Sequence, residues 1–303
     1  MRVVRDAQPR TFLIENVPGL AYQRKDDGLT FIQRSISAIN RATGSKYQLS
    51  IHMLNSAAYG VPQERERLFL IAHRDGLEFS APPPTHGPPG RRDSLTADST
   101  GGRQLSAFTT AWDAIGDLED ADDPDLKLTG KWADLLPSIP EGKNYLHHTA
   151  RGGGKPLFGW RRRYWSFLLK LAKRLPSWTI TANPGSAIGP FHWNNRRLSM
   201  RELCRIQTIP DDYYIVGSRQ AYQKQIGNAV PSALAETLGI HIRRTLLNHR
   251  VKSRGSTLTP EFNRPHPPSS RPGRVPKKYS SLIGEYPEHP GAGLGPGALS
   301  RDT

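Results

Sequence analysis

Glu15 and Asn16 end a short apolar run, Thr11-Phe12-Leu13-Ile14, and are followed by Val17-Pro18-Gly19. An apolar run of that length closed by Pro-Gly reads as a buried strand. A carboxylate and an amide at its lip are placed to hold or move a proton on a ligand. Taken alone, the same residues also suit a helix cap or a loop anchor. A second group, Gln63-Glu64-Arg65-Glu66-Arg67, precedes another apolar run. Alternation puts Gln63, Arg65 and Arg67 on one face and Glu64 and Glu66 on the other. Two neighbouring guanidiniums repel unless anions meet them, and those anions are either a bound ligand's or the intervening glutamates.

The elements that must position these groups follow an α/β order. Residues 11–17 read as a strand, 29–42 as an amphipathic helix with Phe31, Ile32, Ile36 and Ile39 on one side, and 47–54 and 68–72 as two further strands. Thr43-Gly44 ends the helix, glycine taking the left-handed cap. From about residue 80 the chain turns irregular, opening on Ala81-Pro82-Pro83-Pro84 and Gly87-Pro88-Pro89-Gly90. Within that region 164–175 reads as an amphipathic helix, with Trp165, Leu168, Leu169 and Ala172 apolar and Lys170, Lys173 and Arg174 facing out. Ser199-Met200-Arg201-Glu202 is a capping-box start to a helix through Gln207, with Arg201 and Glu202 as an internal ion pair. A longer helix is read over 231–249, its Leu234, Leu238, Ile242 and Leu246 spaced by four and its start primed by Pro231.

The sequence has 303 residues and a formal net charge of +15. That balance favours a polyanionic partner, because each neutralised phosphate releases counterions. It also fits a basic, solvated tail, and 251–303 is rich in Pro, Gly, Ser and Arg, which predicts disorder there. No stretch is long and apolar enough for a membrane helix, and the start lacks a secretory signal, so a soluble, cytoplasmic protein is expected. The single cysteine, Cys204, excludes an internal disulfide and a cysteine-clustered zinc site, and no metal is expected. Arg161, Arg162 and Arg163, beside Tyr164 and Trp165, suit contact with a phosphate backbone. A solvated helix face explains the same triplet.

The Glu15-Asn16-Val17 and Gln63-to-Arg67 groups, the run Arg197 to Asp211 and the run Gln225-Ile226-Gly227-Asn228-Ala229-Val230-Pro231 occur in that order. Together they resemble the DNA cytosine-5 methyltransferase family over roughly residues 1–250. The resemblance implies a partial Rossmann-like methyltransferase core over 1–79 and 194–250, an inserted target-recognition domain over 80–193 and the tail beyond. It implies transfer of a methyl group from S-adenosylmethionine to cytosine carbon 5 in duplex DNA, the base first leaving the stack. In such enzymes a cysteine thiolate adds to carbon 6 and the resulting enamine attacks the methyl group. By resemblance Glu15 is the acid, Arg67 holds the base's carbonyl oxygen, Arg65 holds a phosphate or the adduct, and Asn16 positions the loop. Gly227, Asn228 and Ala229 complete the cofactor pocket. Gln63, Thr181 and Asn183 join the three arginines as DNA contacts.

The family's glycine-rich turn is not found before a helix in the first forty residues. Cys204 is not preceded by proline as the family's nucleophile is, and reads as a packed thiol. The strand carrying Glu15 is therefore expected to show an unpaired edge. Methyl transfer is expected to need a second polypeptide with the opening strands, the glycine turn and the cysteine. The alternatives are a truncated gene or a misassigned start codon, a DNA-binding remnant without catalysis, and a chain whose basic tail is the functional part.

Overall fold

The apolar run at residues 68–72 is the centre of a three-stranded sheet. In the computed structural model, which describes residues 1–21, 27–88, 105–118, 123–159, 163–251, 256–260, 265–284 and 286, each side chain of that run is at most 1% exposed. A strand covered on both faces needs such an uninterrupted run. The elements around it are α1 (Arg2–Ala7), β1 (Thr11–Asn16), α2 (Asp27–Thr43), β2 (Gln48–Asn55), the two-residue β3 (Gln63–Glu64) and β4 (Glu66–His73). The sheet order is β1-β4-β2. Both flanking strands run antiparallel to β4, in registers that oppose Glu15 to Phe69 and Asn55 to Glu66. Hence β1 and β2 run parallel to each other, and α2 connects them as a crossover helix. Among the described residues β1 pairs on one side only.

Alternation along β4 sorts its side chains into two cores. Phe69 and Ile71 join Leu54, Tyr59, Val61 and Phe79 against Leu234 and Leu238 of α6 (Ser232–Thr245). Ala72 joins Val4, Ile36, Ile39 and Tyr47 on the α1 and α2 side. Helices thus cover both faces of the sheet, the layering of an α/β domain. Gly44 ends α2 at φ +72°, as its sequence predicts. Phe31 departs from expectation: it is 62% exposed, since the buried stripe runs through Ile32, Ile36 and Ile39 and Phe31 lies about 100° off it.

The chain divides into two compact units. One comprises Met1–Thr109, Gln207–Pro210 and Val230–Pro260, the other Thr110–Ile206, Asp211–Ala229 and Glu261–Thr303. The Pro-rich stretch after residue 80 stays with the first unit because Tyr59 donates its hydroxyl proton to the Pro82 carbonyl and Thr85 N–H bonds the Ala58 carbonyl.

The second unit is built largely from turns. Its helices are α3 (Ala111–Ile115), opened by a Thr110–Asp113 capping box, α4 (Met200–Ile206) and α5 (Arg219–Asn228). The helix expected over 164–175 does not form. Leu168 takes φ +52°, and the segment bonds laterally instead, Lys170 N–H to the Lys143 carbonyl and Leu171 N–H to the Phe191 carbonyl. Lys170 and Lys173, expected to face out, are 4% and 3% exposed. The core gathers Leu135, Leu136, Tyr145, Phe158, Phe167 and Phe191. Tyr279 belongs to it, 3% exposed and stacked on Trp132 at 9° between ring planes, its hydroxyl donating to the Lys131 carbonyl. Disorder across 251–303 is thus contradicted around residue 279. Composition averages over a segment and overlooks one aromatic anchor, and proline leaves less backbone entropy to lose. The helix read over 231–249 ends at Thr245, and α5 carries Gly227 and Asn228 in its last turn. No helix among the described residues is long and apolar enough to cross a membrane.

Candidate active site

Glu15 reaches Arg67 through strand register. Glu15 faces Phe69 across the β1–β4 ladder, so Arg67 is its diagonal neighbour on the same side of the sheet, within reach of a long side chain. Arg67 Nε lies 3.1 Å from Glu15 Oε1, the side chains 14% and 21% exposed. Arg67 Nη1 also donates to the Glu66 carbonyl at 2.6 Å. The ion pair therefore joins Arg67 to Glu15 in the neighbouring strand. Arg65, 1% exposed, is the largest fully buried side chain.

What fixes Arg65 is the turn after β2. Asn55 Oδ1 accepts from Ala57 N–H, capping residues Ser56–Tyr59, and also from Arg65 N–H at 3.3 Å. Ser56 donates both its N–H and its hydroxyl to the Arg65 carbonyl. Asn55 and Ser56 are positioning residues that sequence reading missed. An amide ending a strand one residue before a hydroxyl was the available signal.

Burial lowers the Arg65 guanidinium to about 10, Arg67 pushes it the same way, and Glu15 opposes both. Arg67 is lowered by burial and partly restored by the charge and hydrogen bond of Glu15. One carboxylate thus acts on two guanidiniums, and Arg65 remains a cation at neutral pH. Asn16 Oδ1 accepts from Val17 N–H at 2.8 Å, bracing the loop after β1. Gln63, expected among the DNA contacts, is fully buried.

In the second unit α5 begins at the Ser218 cap and carries Gly227 to the backbone of Thr181 and Ala182. A Cβ on Gly227 would stand 2.5 Å from Ala182 Cα, so close packing alone demands glycine. Asn228 follows, exposed at the helix end, and Ala229 caps it. Thr181 Oγ1 is buried and, among the described residues, without a hydrogen-bond partner; Asn183 is exposed. Arg163 is exposed, with its guanidinium 5.7 Å from the Trp132 ring and 5.5 Å from Phe167. Arg161 and Arg162 lie outside the described residues.

The capping box of α4 forms as read, Ser199 Oγ accepting from Glu202 N–H and Glu202 from Ser199 N–H. The expected Arg201–Glu202 ion pair does not. Consecutive helix residues do not face each other. Glu202, fully buried, is bound by both terminal nitrogens of Arg196 at 2.6 and 2.8 Å, while Arg201 reaches Asp211. Arg205 joins Asp211 and Asp117. Cys204 is 6% exposed, and burial followed by Asp211 pushes its thiol up to about 11, so it carries no thiolate at neutral pH.

An acid and two guanidiniums at one end of an α/β sheet suit an enzyme acting on a polar, charge-developing substrate. The chain belongs to the C-5 cytosine-specific DNA methylase family, whose model matches residues 1–244. It is 37% identical over 270 residues to the Type II methyltransferase M.SacI of Streptomyces achromogenes, covering 85% of this chain and 65% of that protein. To the Type II methyltransferase M.NgoFVII of Neisseria gonorrhoeae it is 32% identical over 240 residues, covering 76% and 58%. The chain thus spans less than two thirds of either relative's length. The solved structure of the Entamoeba histolytica methyltransferase EhMeth superposes with a TM-score of 0.43 at 15% identity, covering 78% of this chain and 63% of that one.

Proposed function

We propose that this chain forms the base-stabilising and DNA-binding part of a DNA cytosine-5 methyltransferase, with duplex DNA as substrate and S-adenosylmethionine as methyl donor. The observation that carries the reading is the Glu15–Arg67 pair at 3.1 Å with Arg65 buried under the influence of both. When a thiolate adds to cytosine carbon 6, negative charge moves onto the ring nitrogen and the carbonyl oxygen. Glu15 shares a proton with the nitrogen and Arg67 donates to the oxygen, and their mutual contact orients both before substrate arrives. Arg65 holds the extruded nucleotide's phosphate or the adduct. S-adenosylmethionine supplies an electrophilic methyl group when bound. The Asn228 amide fits a role in holding it, being exposed and without a hydrogen-bond partner among the described residues, and the Ala229 backbone follows it. Gly227 serves by letting α5 approach Ala182.

The thiolate must come from a segment outside this sequence, because the one cysteine is Cys204 and it is packed and protonated. A second polypeptide carrying the Pro-Cys and glycine-rich motifs is the proposed partner. With that partner supplied, Glu15→Gln or Arg67→Ala slows methyl transfer to cytosine about 100-fold or more while leaving duplex affinity unchanged. Equal loss of affinity counts against these roles, and robust transfer by the purified chain alone counts against the need for a partner. The state of Cys204 also favours a second reading, a DNA-binding remnant without catalysis. Supplying the missing motifs and seeing no activity, with duplex binding intact, selects it.

A further inference from the structure

The second unit holds a half-open pocket with about 20 Å³ of inner space, lined among others by the buried Ile180 and Leu203, by Thr181, and by two half-buried arginines, Arg197 and Arg219. Both arginine backbones are fixed. Arg197 N–H bonds the Leu126 carbonyl and its own carbonyl accepts from Arg196, while Arg219 lies in the first turn of α5 behind the Ser218 cap. Arg219 spends two donors on the protein, one to the Leu198 carbonyl at 2.8 Å and one to the Tyr222 hydroxyl at 3.0 Å. The Arg197 guanidinium has no hydrogen-bond or ion-pair partner among the described residues. Burial lowers its affinity for a proton and the charge of Arg219 lowers it further, with no carboxylate acting in the other direction. The nearest acid along the chain, Glu202, is taken by Arg196 and the Ser199 N–H.

Two like charges lining one small space, with a buried hydroxyl that has no partner among the described residues, form an arrangement that an anion completes. We propose that this pocket is an oxyanion site for a phosphate group, bound by Arg197, Arg219 and the Thr181 hydroxyl. Its inner space admits an oxygen or two, so the ligand enters by a phosphate tip. In the function proposed above the phosphate is a backbone phosphodiester of the duplex, and the site sets the second unit's register on DNA without reading sequence. Free phosphate offers the same chemistry.

The full chain is melted in chloride and in inorganic phosphate at equal ionic strength. Phosphate raises Tm, and Arg197→Gln removes that rise while melting no lower than the parent in chloride, because it removes a repulsion and no protein contact. A merely structural arginine behaves in the opposite way. Should Arg197→Gln fail to fold, Arg197→Lys and Thr181→Val are read instead, each weakening the phosphate effect. In duplex titrations Arg197→Gln lowers the slope of log affinity against log salt by about 0.9, so that affinity falls about 3.5-fold less than the parent's over a fourfold rise in salt. A phosphate effect that depends on Arg197, without duplex binding or with an unchanged slope, supports the site with free phosphate as its ligand. Absence of duplex binding in that case sinks the proposed function and not the site. A parent chain that phosphate does not stabilise, or an effect that Arg197→Gln leaves intact, overturns it.

Discussion

Charged side chains serve different ends in the two units. In the first, apolar layers on both faces of β4 build the fold, and Glu15, Arg65 and Arg67 sit at one end of it. In the second, regular elements are short, and buried ion pairs stand where backbone ladders otherwise would. Glu141 and Lys173 meet at 2.8 Å with 3% and 4% of their side chains exposed, and Ser270 N–H also bonds Glu141. Lys170 lies beside them, its ammonium lowered to about 8 by burial against the pull of Glu141. Substitutions at the partly exposed Glu15–Arg67 pair of the first unit should therefore alter chemistry at nearly constant stability, and those at the buried pairs of the second should alter folding first.

The largest expected effect on stability tests that contrast directly. Glu141→Ala leaves a buried ammonium without its partner and costs about 3–5 kcal/mol in denaturant unfolding. Replacing both residues by apolar ones of similar size, Glu141→Leu with Lys173→Met, restores most of it. Glu15→Gln, at the far less buried pair of the first unit, shifts the midpoint little. Equal losses at the two sites would break the comparison. Next comes Tyr279→Ala, about 3 kcal/mol through lost aromatic packing on Trp132, against about 1 kcal/mol for Tyr279→Phe, which removes only the bond to Lys131. If Tyr279→Ala is neutral, the segment around residue 279 does not belong to the core.

A pH series sharpens the contrast further. His192 is fully buried, and burial, then Arg196 and Lys173, push its imidazole down to about 2 from 6.5. Its Nε2 lies 3.6 Å from Glu202, but that carboxylate is already bound by Arg196 and the Ser199 N–H, so the ring stays neutral. The unfolded chain takes up a proton below pH 6.5 that the folded chain refuses. Stability from this residue is full above that pH and declines as pH falls, by about 1.4 kcal/mol per unit. His192→Gln flattens the profile between about pH 6.5 and 5; an unchanged profile assigns the decline to other groups.

The first unit was legible because its signals are local and periodic: the run at 68–72, the stripe Ile32, Ile36 and Ile39, and the glycine stop at Gly44 each act through nearest neighbours. Alternation put Arg65 and Arg67 on one side, but the β1–β4 register that brings Glu15 to Arg67 and the Asn55–Ser56 turn that fixes Arg65 are long-range and were not legible. In the second unit the 3.6-residue period at 164–175 was real but outvoted. Lateral bonds to Lys143 and Phe191 and the pairing of Lys173 with Glu141, 32 residues earlier, are long-range, and no window of sequence contains them. The same limit hid the facing of Arg197 with Arg219, whereas Arg196 lies only six residues before Glu202 and was hidden by the irregular turn that brings it back to the start of α4.

The smallest effect discriminates most finely, because it separates charges that hold the second unit from charges that merely decorate it. Arg201 and Arg205 both bind Asp211, whose carboxyl lies well below the usual range, chiefly through the hydrogen bonds of Arg205 and then that of Arg201. Arg201 is 57% exposed and serves Asp211 alone, whereas Arg205 is 15% exposed and also reaches Asp117. Arg201→Ala should cost under about 1 kcal/mol, as exposed pairs do, and Arg205→Ala more. Because the folded carboxyl is the stronger acid, both losses are present at neutral pH and fade as pH falls below the ordinary aspartate value of about 3.9. Equal costs for the two variants, or costs that persist in acid, would mean that the packing of the arginine stems on α4, and not their charge, holds Asp211 in place.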